Sequence, residues 1–397
     1  MASYYDFNTI PGYTLGAGVL AQIKRITFGL GERYLVVGDA HLSDELYAVI
    51  ERSLATPLSG QEPAADNPVG RGAGLLDSLE HPDAPDVAFP CSAVRLPYKA
   101  CTRANAEATG ALINESGADV VVAVGGSKVL DLVRAGLHFC STFRRPALVM
   151  VPSVLNSNSC ATSMSVIYDD EGQMCDFWNL GRPAEQVIVD TELLARVPAR
   201  QLASAIGDQV SSSVEALHTL ERMGGAGSYD PLAVAHHQAV LDVLAREGAA
   251  AVAAAGTGEV TPAFEHVCHA VTRYTGPELA IATSFLSHVL DEALIGIPEL
   301  AGFMHGELVG FGVMAEMVAA GTPDDMYAWA DLFERIGVPA TLDELGIGSI
   351  KRTELTAACE RAADKVMASR AVVPFSPAQM AASVLEADAL VRAHRSR

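Results

Sequence analysis

Residues Asp119–Gly136 read DVVVAVGGSKVLDLVRAG, and the two halves of that stretch ask for different structures. The run Val120–Val124 is continuously apolar and β-branched apart from Ala123, the pattern of a strand covered on both faces. Two glycines, Gly125 and Gly126, end it, and a helical pattern follows from Ser127. A strand, a glycine turn and a helix in immediate succession point to a βαβ organisation with a mainly parallel sheet. The same turn is compatible with two uses. Glycine there lets a phosphate approach the backbone at a helix N-terminus, and glycine is equally what any tight strand-to-helix turn requires. It is not the common GxGxxG fingerprint.

Working outward, RYLVVGD (33–39), ALVMVPS (147–153), SMSVIYDD (163–170) and QVIVDTE (186–192) also read as strands. Beyond QVIVDTE the texture changes to long Ala- and Leu-rich stretches at helical spacing. The expected organisation is therefore an α/β half over residues 1–195 and an all-α half over 196–397. Residues 56–86, rich in Pro, Gly, Asp and Ala, show no period and read as a long surface insertion. Residues 377–397 read as a closing helix with a basic, exposed end.

The 397-residue chain carries 27 Lys and Arg against 48 Asp and Glu, a formal net charge of −21. That balance argues against nucleic acid or an anionic membrane as partner, since both reward clustered positive charge. Seven cysteines, odd in number and without a CxxC pair, suit a reducing compartment with thiols acting as small core residues. The first residues show no secretory pattern, and no apolar run approaches the ~18–20 residues of a membrane span. A cytoplasmic protein is expected.

Chemistry-bearing side chains stand out in both halves. Asp39 closes the RYLVVGD strand at the edge where open α/β sheets bind ligands. A carboxylate there accepts ribose hydroxyls and repels a 2′-phosphate, which favours NAD over NADP; a turn or capping role is the alternative. In the helical half, FMHGELVGFG (303–312) sets His305, Gly306 and Glu307 inside an apolar run. A polar group buried without partners costs roughly 2–7 kcal/mol, so this triplet needs either structural partners or a ligand. Asp208 and His288 sit in comparable apolar helical contexts. Their spacings to one another form no local metal motif, whereas FEHVCHAV puts His266 and His269 three apart on one helical face beside Glu265 and Cys268. His236 and His237 add a further pair. Spacing alone leaves these sets open.

Several segments together resemble one family. YTLGAGVLAQI, RYLVVGDA, VAVGGSKVLD, VPSVLNSNSCATSMSVIYDDEG, VIVDTELLARVPARQLASAIGDQVSSSVEA, FLSHVLDEAL and HGELVGFG occur in order between about residues 10 and 345. They are similar to the dehydroquinate synthase-like superfamily, and most to the glycerol dehydrogenases among its iron-containing, metal-dependent alcohol dehydrogenases. The DTE-to-GD block and the HGELVGFG block are the specific ones.

The resemblance implies a Rossmann-like α/β domain, a helical domain and an active site in the cleft between them. It implies a divalent metal held by Asp208, His288 and His305, with zinc expected and iron the alternative, and it sets aside His266 and His269. Glu307 becomes a supporting or capping group. Three protein ligands leave a metal position open for an alcohol or carbonyl substrate. The implied cofactor is NAD, contacted by Asp39, Gly125, Gly126, Ser127, Lys128, Asp131, Ser153 and Thr162. The implied reaction interconverts a small alcohol or polyol and its ketone or aldehyde, in a homo-oligomer.

Two positions depart from the family. Ser127 replaces the third glycine of the phosphate loop. Asn158 replaces the substrate-facing Asp of glycerol dehydrogenases, exchanging a charged acceptor for one acceptor and two donors. Asn158 therefore suits a substrate bearing a keto oxygen, carboxylate or phosphate. Rival expectations are a glycerol-1-phosphate dehydrogenase-like enzyme, a dehydroquinate synthase-like carbon–oxygen lyase using NAD transiently, and a protein that binds nucleotide without turnover.

Overall fold

The computed structural model describes residues 12–57, 87–98, 100–140, 145–179, 181, 183–222, 231–273, 285–365, 367 and 375–397. Six strands form one wholly parallel sheet: β1 (Gly12–Gly16), β2 (Tyr34–Asp39), β3 (Cys91–Leu96), β4 (Val120–Gly125), β5 (Ala147–Pro152) and β8 (Gln186–Asp190), in the order β1-β8-β5-β4-β2-β3. Every residue of β4 is buried. Val121 and Ala123 face one core cluster while Val120, Val122 and Val124 face the other. The continuous apolar run is thus explained by helices on both faces of the sheet.

Two strands of this sheet, β1 and β3, carry no such run. GYTLG and CSAVRL lie at its two edges and are largely half-buried or exposed, so an apolar pattern was not required of them. RYLVVGD is consequently the second strand, not the first. The SMSVIYDD segment also differs from expectation. It forms β6 (Met164–Tyr168), which pairs antiparallel with β7 (Met174–Asn179) in a separate two-stranded sheet. Its burial alternates, with Ser165 and Ile167 inward. The turn between the strands is tightened by Asp169, which accepts the Gln173 N–H at 2.7 Å, and by Gly172 at φ 78°.

The helices that matter below are α1 (Ser127–His138), after β4, then α2 (Ala199–Arg222), α3 (Pro231–Ala254), α4 (Pro262–Arg273), α5 (Ser287–Leu294), α6 (His305–Ala320) and α7 (Pro377–Arg395). Twelve of the sixteen residues of α6 are buried, so it runs through the middle of the helical half, apolar nearly all round. Its contact with α2 is backbone to backbone. A Cβ on Gly306 would lie 1.9 Å from the Ser204 carbonyl oxygen, and one on Gly207 would lie 2.2 Å from that of Gly306. Gly312 makes a similar approach to Ser287 at the start of α5.

Of the expected insertion, residues 58–86 lie outside the described residues. Its flanks are tied together: fully buried Lys24 donates to the carbonyls of Thr56 and Val87 at 2.8 and 2.7 Å. The basic end of α7 is docked rather than free. Arg395 bonds Glu344 and the Ala330 carbonyl, and His394 stacks on Tyr327. All seven cysteines are free, four of them buried. No helix of the described residues is long and apolar enough to cross a membrane.

Candidate active site

Strand registry brings the nucleotide candidates to one edge. Gly38 of β2 pairs Val124 of β4, and Gly125 pairs Pro152 of β5, so Asp39, Gly125 and Ser153 emerge side by side where the strands end. Chain order reverses between β2 and β4, and open α/β sheets take ligands at such a switch point. Gly126 is the N-cap of α1, and no side chain caps the helix. The N–H groups at its start are the kind that bind anions. Both glycines have packing reasons as well. A Cβ on Gly125 would meet Val129 at 2.7 Å, and one on Gly126 would meet Val154 at 2.9 Å.

Around this turn the expected contacts have different settings. Asp39 spends Oδ1 on the His41 N–H at 2.8 Å, a local turn, and no bond to Oδ2 is seen among the described residues. Ser127 is half-buried, and Lys128 is exposed with its ammonium 5.6 Å from the Tyr168 ring centroid. Ser153 donates its N–H to the Gly125 carbonyl, and buried Thr162 accepts the Met164 N–H at 2.9 Å. Asp131 is set differently from the others. It is buried, and both carboxylate oxygens are engaged inside the chain: Oδ1 by Arg134 and Ser159, Oδ2 by the Val166 N–H. Asn158 sits half-buried just before a short turn at Ser159–Ala161, between β5 and β6, with its side chain making no capping bond.

In the helical half, Asp208, His288 and His305 converge. One ligand atom from each lies within 4.8 Å of the others, and no second such group of His, Cys, Asp or Glu occurs among the described residues. Asp208 Oδ1 is 3.6 Å from His288 Nε2 and 3.7 Å from His305 Nε2. Asp208 is buried and His288 half-buried, with side chains 6% and 16% exposed, whereas His305 is 47% exposed and marks the open side.

Each imidazole is held from behind by a carboxylate that sequence reading did not single out. Glu215, two helical turns beyond Asp208 on α2, faces His288 Nδ1 at 2.5 Å; Asp291, one turn beyond His288 on α5, faces His305 Nδ1 at 2.9 Å. Both spacings put the supporting carboxylate on the same helix face as a ligand, which is the signal that could have found them. Burial alone would lower the His288 pKa, but Glu215 and Asp208 outweigh it and hold the imidazole well above its usual value. His305 is raised likewise by Asp291 and Asp208 against burial and His288. Burial would raise Glu215, yet the His288 interaction holds it at about 2. Beside it, Glu316 is raised by burial and by the Glu215 charge, while accepting the Ser287 N–H and facing His218.

Such an arrangement fits a metal. Nδ1 is committed to a carboxylate in both histidines, so both Nε2 atoms are left to converge with Asp208, the usual second-sphere pattern of ligating imidazoles. A buried oxygen of Asp291, Oδ1, has no hydrogen-bond partner. The local competitor is resolved differently: His266 bonds Glu247 at 2.7 Å and His269 stacks on Tyr13. Glu307 accepts the Met304 N–H at 2.8 Å and is gripped by Arg200 through both oxygens, so it caps α6 and ties it to α2. Tyr168 is pushed up to about 12 by burial and by the charges of Asp131, from the nucleotide side, and Asp291, from the helical half.

Residues 97–191 match the family model described as iron-containing alcohol dehydrogenase. A glycerol dehydrogenase of Escherichia coli O6:H1 is 27% identical over 351 residues, covering 85% of this chain and 84% of its own. A glycolaldehyde reductase of Halobacterium salinarum is 27% identical over 399 residues, covering 98% and 99%. The crystal structure of glycerol dehydrogenase from Schizosaccharomyces pombe superposes with a TM-score of 0.80 at 20% identity, over 100% of this chain and 93% of that one.

Proposed function

We propose that the chain, which is similar to the iron-containing alcohol dehydrogenases and among them to glycerol dehydrogenases, is an NAD-dependent, metal-dependent oxidoreductase of small hydroxylated alcohols and their carbonyl partners. The observation that carries this reading is the convergence of Asp208, His288 and His305, each histidine turned by a carboxylate so that its Nε2 faces the shared point.

Asp208, His288 and His305 would hold the metal, and Glu215 and Asp291 would fix the imidazole tautomers. When bound, the metal supplies Lewis-acid polarisation of a hydroxyl or carbonyl oxygen and NAD supplies the hydride acceptor or donor. Asp39 would accept ribose hydroxyls, and the N–H groups at Gly126–Lys128 would take the pyrophosphate, with Ser153 and Thr162 lining the same edge. Asp131, whose two carboxylate oxygens are already bonded inside the chain, is left out of this proposed contact set. Asn158 would present its amide to the substrate and select for an acceptor oxygen. Zinc is the metal we assign, with cytoplasm as compartment and a homo-oligomer as assembly. Residues 1–195 would form the nucleotide-binding half and 196–397 the metal-binding half.

The test is NADH formation by metal-stripped protein, with and without zinc, over glycerol, other diols, hydroxy acids and glycerol phosphates, beside a His305→Ala variant. Zinc-dependent turnover lost in the variant is the expected result. Zinc-independent turnover, or none on any alcohol with zinc and NAD both bound, would overturn the reading.

A further inference from the structure

Helix α1 carries a buried ion pair that the proposed chemistry does not use. Arg134 and Asp131 stand one turn apart, 2.8 Å between Nη1 and Oδ1, with side chains 2% and 6% exposed. Nearly every bond they make beyond each other goes to one stretch of chain. Arg134 donates to the carbonyls of Ser159 and Met164. Asp131 accepts from Ser159 Oγ at 2.6 Å and from the Val166 N–H at 3.1 Å, and its own carbonyl accepts from Ser165 Oγ at 2.9 Å. Residues 159–166 are thus held at five points, on both sides of Thr162 and immediately after Asn158.

We infer that the Asp131–Arg134 pair is a positioning device, which sets the Asn158–Thr162 loop relative to the Gly125–Ser127 turn and thereby sets how an alcohol substrate is placed against the bound nucleotide. The inference rests on the dehydrogenase reading for its functional half. The physical reason is directional. A buried ion pair adds little stability over an apolar pair of the same volume, so stability alone gives poor cause for it. What an apolar pair lacks is a set of bonds aimed at named backbone atoms. The guanidinium is a rigid, planar fork whose two terminal nitrogens reach Asp131, the Ser159 carbonyl and the Met164 carbonyl at once, a preorganised geometry that a flexible ammonium lacks. The pair also begins one turn from the N-terminus of α1, so the helix that presents its N–H groups to the nucleotide is the helix that holds the substrate loop.

Two variants test this. Ser159→Ala removes one bond to Asp131, and Arg134→Lys keeps the charge while losing the fork. In each, hydrogen exchange is read over residues 155–166 and compared with the rest of the chain, and the NAD dissociation constant is measured beside kcat and KM for the best alcohol. The expected result is faster exchange confined to 155–166, NAD affinity within about twofold of the parent, and an alcohol KM raised about tenfold with a smaller change in kcat. Arg134→Lys should fall further than Ser159→Ala. Unchanged exchange in that segment overturns the anchoring, whatever the activity. Faster exchange with KM unmoved, or KM moving only in step with NAD affinity, overturns the functional half. If the parent oxidises no alcohol, the dehydrogenase reading and this functional half fail together, and the exchange data still decide the anchoring.

Discussion

Gly207 and Gly306 meet backbone to backbone, one residue before Asp208 and one residue after His305. Two helices distant in sequence approach at that contact without side chains between them, and the distance from Asp208 to His305 is set by it. Replacing Gly306 by Ala puts a methyl group 1.9 Å from the Ser204 carbonyl, and backbone cannot swing aside as a side chain can. Overpacking of this kind costs about 1–3 kcal/mol, and more where backbone must move. Gly306→Ala should therefore lower the melting temperature by several degrees and weaken zinc binding by at least about tenfold. Calorimetry and a chelator-competition titration check it, and parental values in both would mean that the contact does not set the site.

Glu215 and Asp291 should be separable from the ligands they orient. Glu215→Gln and Asp291→Asn each keep an acceptor for the imidazole but remove its charge. Each is expected to lower zinc affinity by about 10–100-fold without unfolding the protein. Equal affinity in parent and variants would show that the imidazoles are held by something else.

Zinc binding should be steeply pH-dependent. His288 and His305 are both raised in the metal-free protein, where Glu215 and Asp291 outweigh burial. The protonated pairs stabilise the metal-free fold fully below the unfolded histidine pKa of about 6.5, and that contribution is lost as pH rises through the raised values. A metal requires the neutral imidazoles, so apparent zinc affinity should climb by about 10–100-fold per pH unit across this range, as one or two protons are displaced. Chelator competition at several pH values measures the slope, and a flat profile counts against the assigned ligands.

His237 provides an acid-sensitive point away from the site. It lies on α3, 3% exposed, with Nε2 unbonded, and burial followed by the His236 charge pushes its pKa down to about 4. A lowered histidine is neutral in the fold while the unfolded chain is already protonated below about 6.5. Its penalty therefore grows as pH falls from there and reaches about 3 kcal/mol near the folded pKa. His237→Leu should flatten the loss of stability over that window. Denaturant melts across the acid range, matching those of the parent, would refute the assignment.

Asn158→Asp places a charged acceptor in the loop proposed to face the substrate. Glycerol and other vicinal diols should gain about tenfold in kcat/KM, and substrates carrying a carboxylate or keto oxygen should lose. Steady-state kinetics on matched substrate pairs decide it; no reordering would remove Asn158 from specificity.

The sequence by itself determined what depends on neighbours along the chain. The run Val120–Val124 had to be a strand covered on both faces, the glycine pair had to turn, and the helical second half followed from its spacing. The edge strands β1 and β3 escaped notice because an edge need not be apolar, and the strand pattern of β6 did not say which sheet it joins because its pairing depends on the hairpin turn at Asp169–Gln173. For the metal, local pattern favoured His266 and His269; only family resemblance pointed to Asp208, His288 and His305. Their convergence was decided by tertiary structure, through glycine contacts between helices far apart in the chain, which no local period records. The same holds for Asp131. Family resemblance implied a cofactor contact there, and what the fold adds is the set of partners, Arg134, Ser159 and Val166, that packing brings to a buried carboxylate.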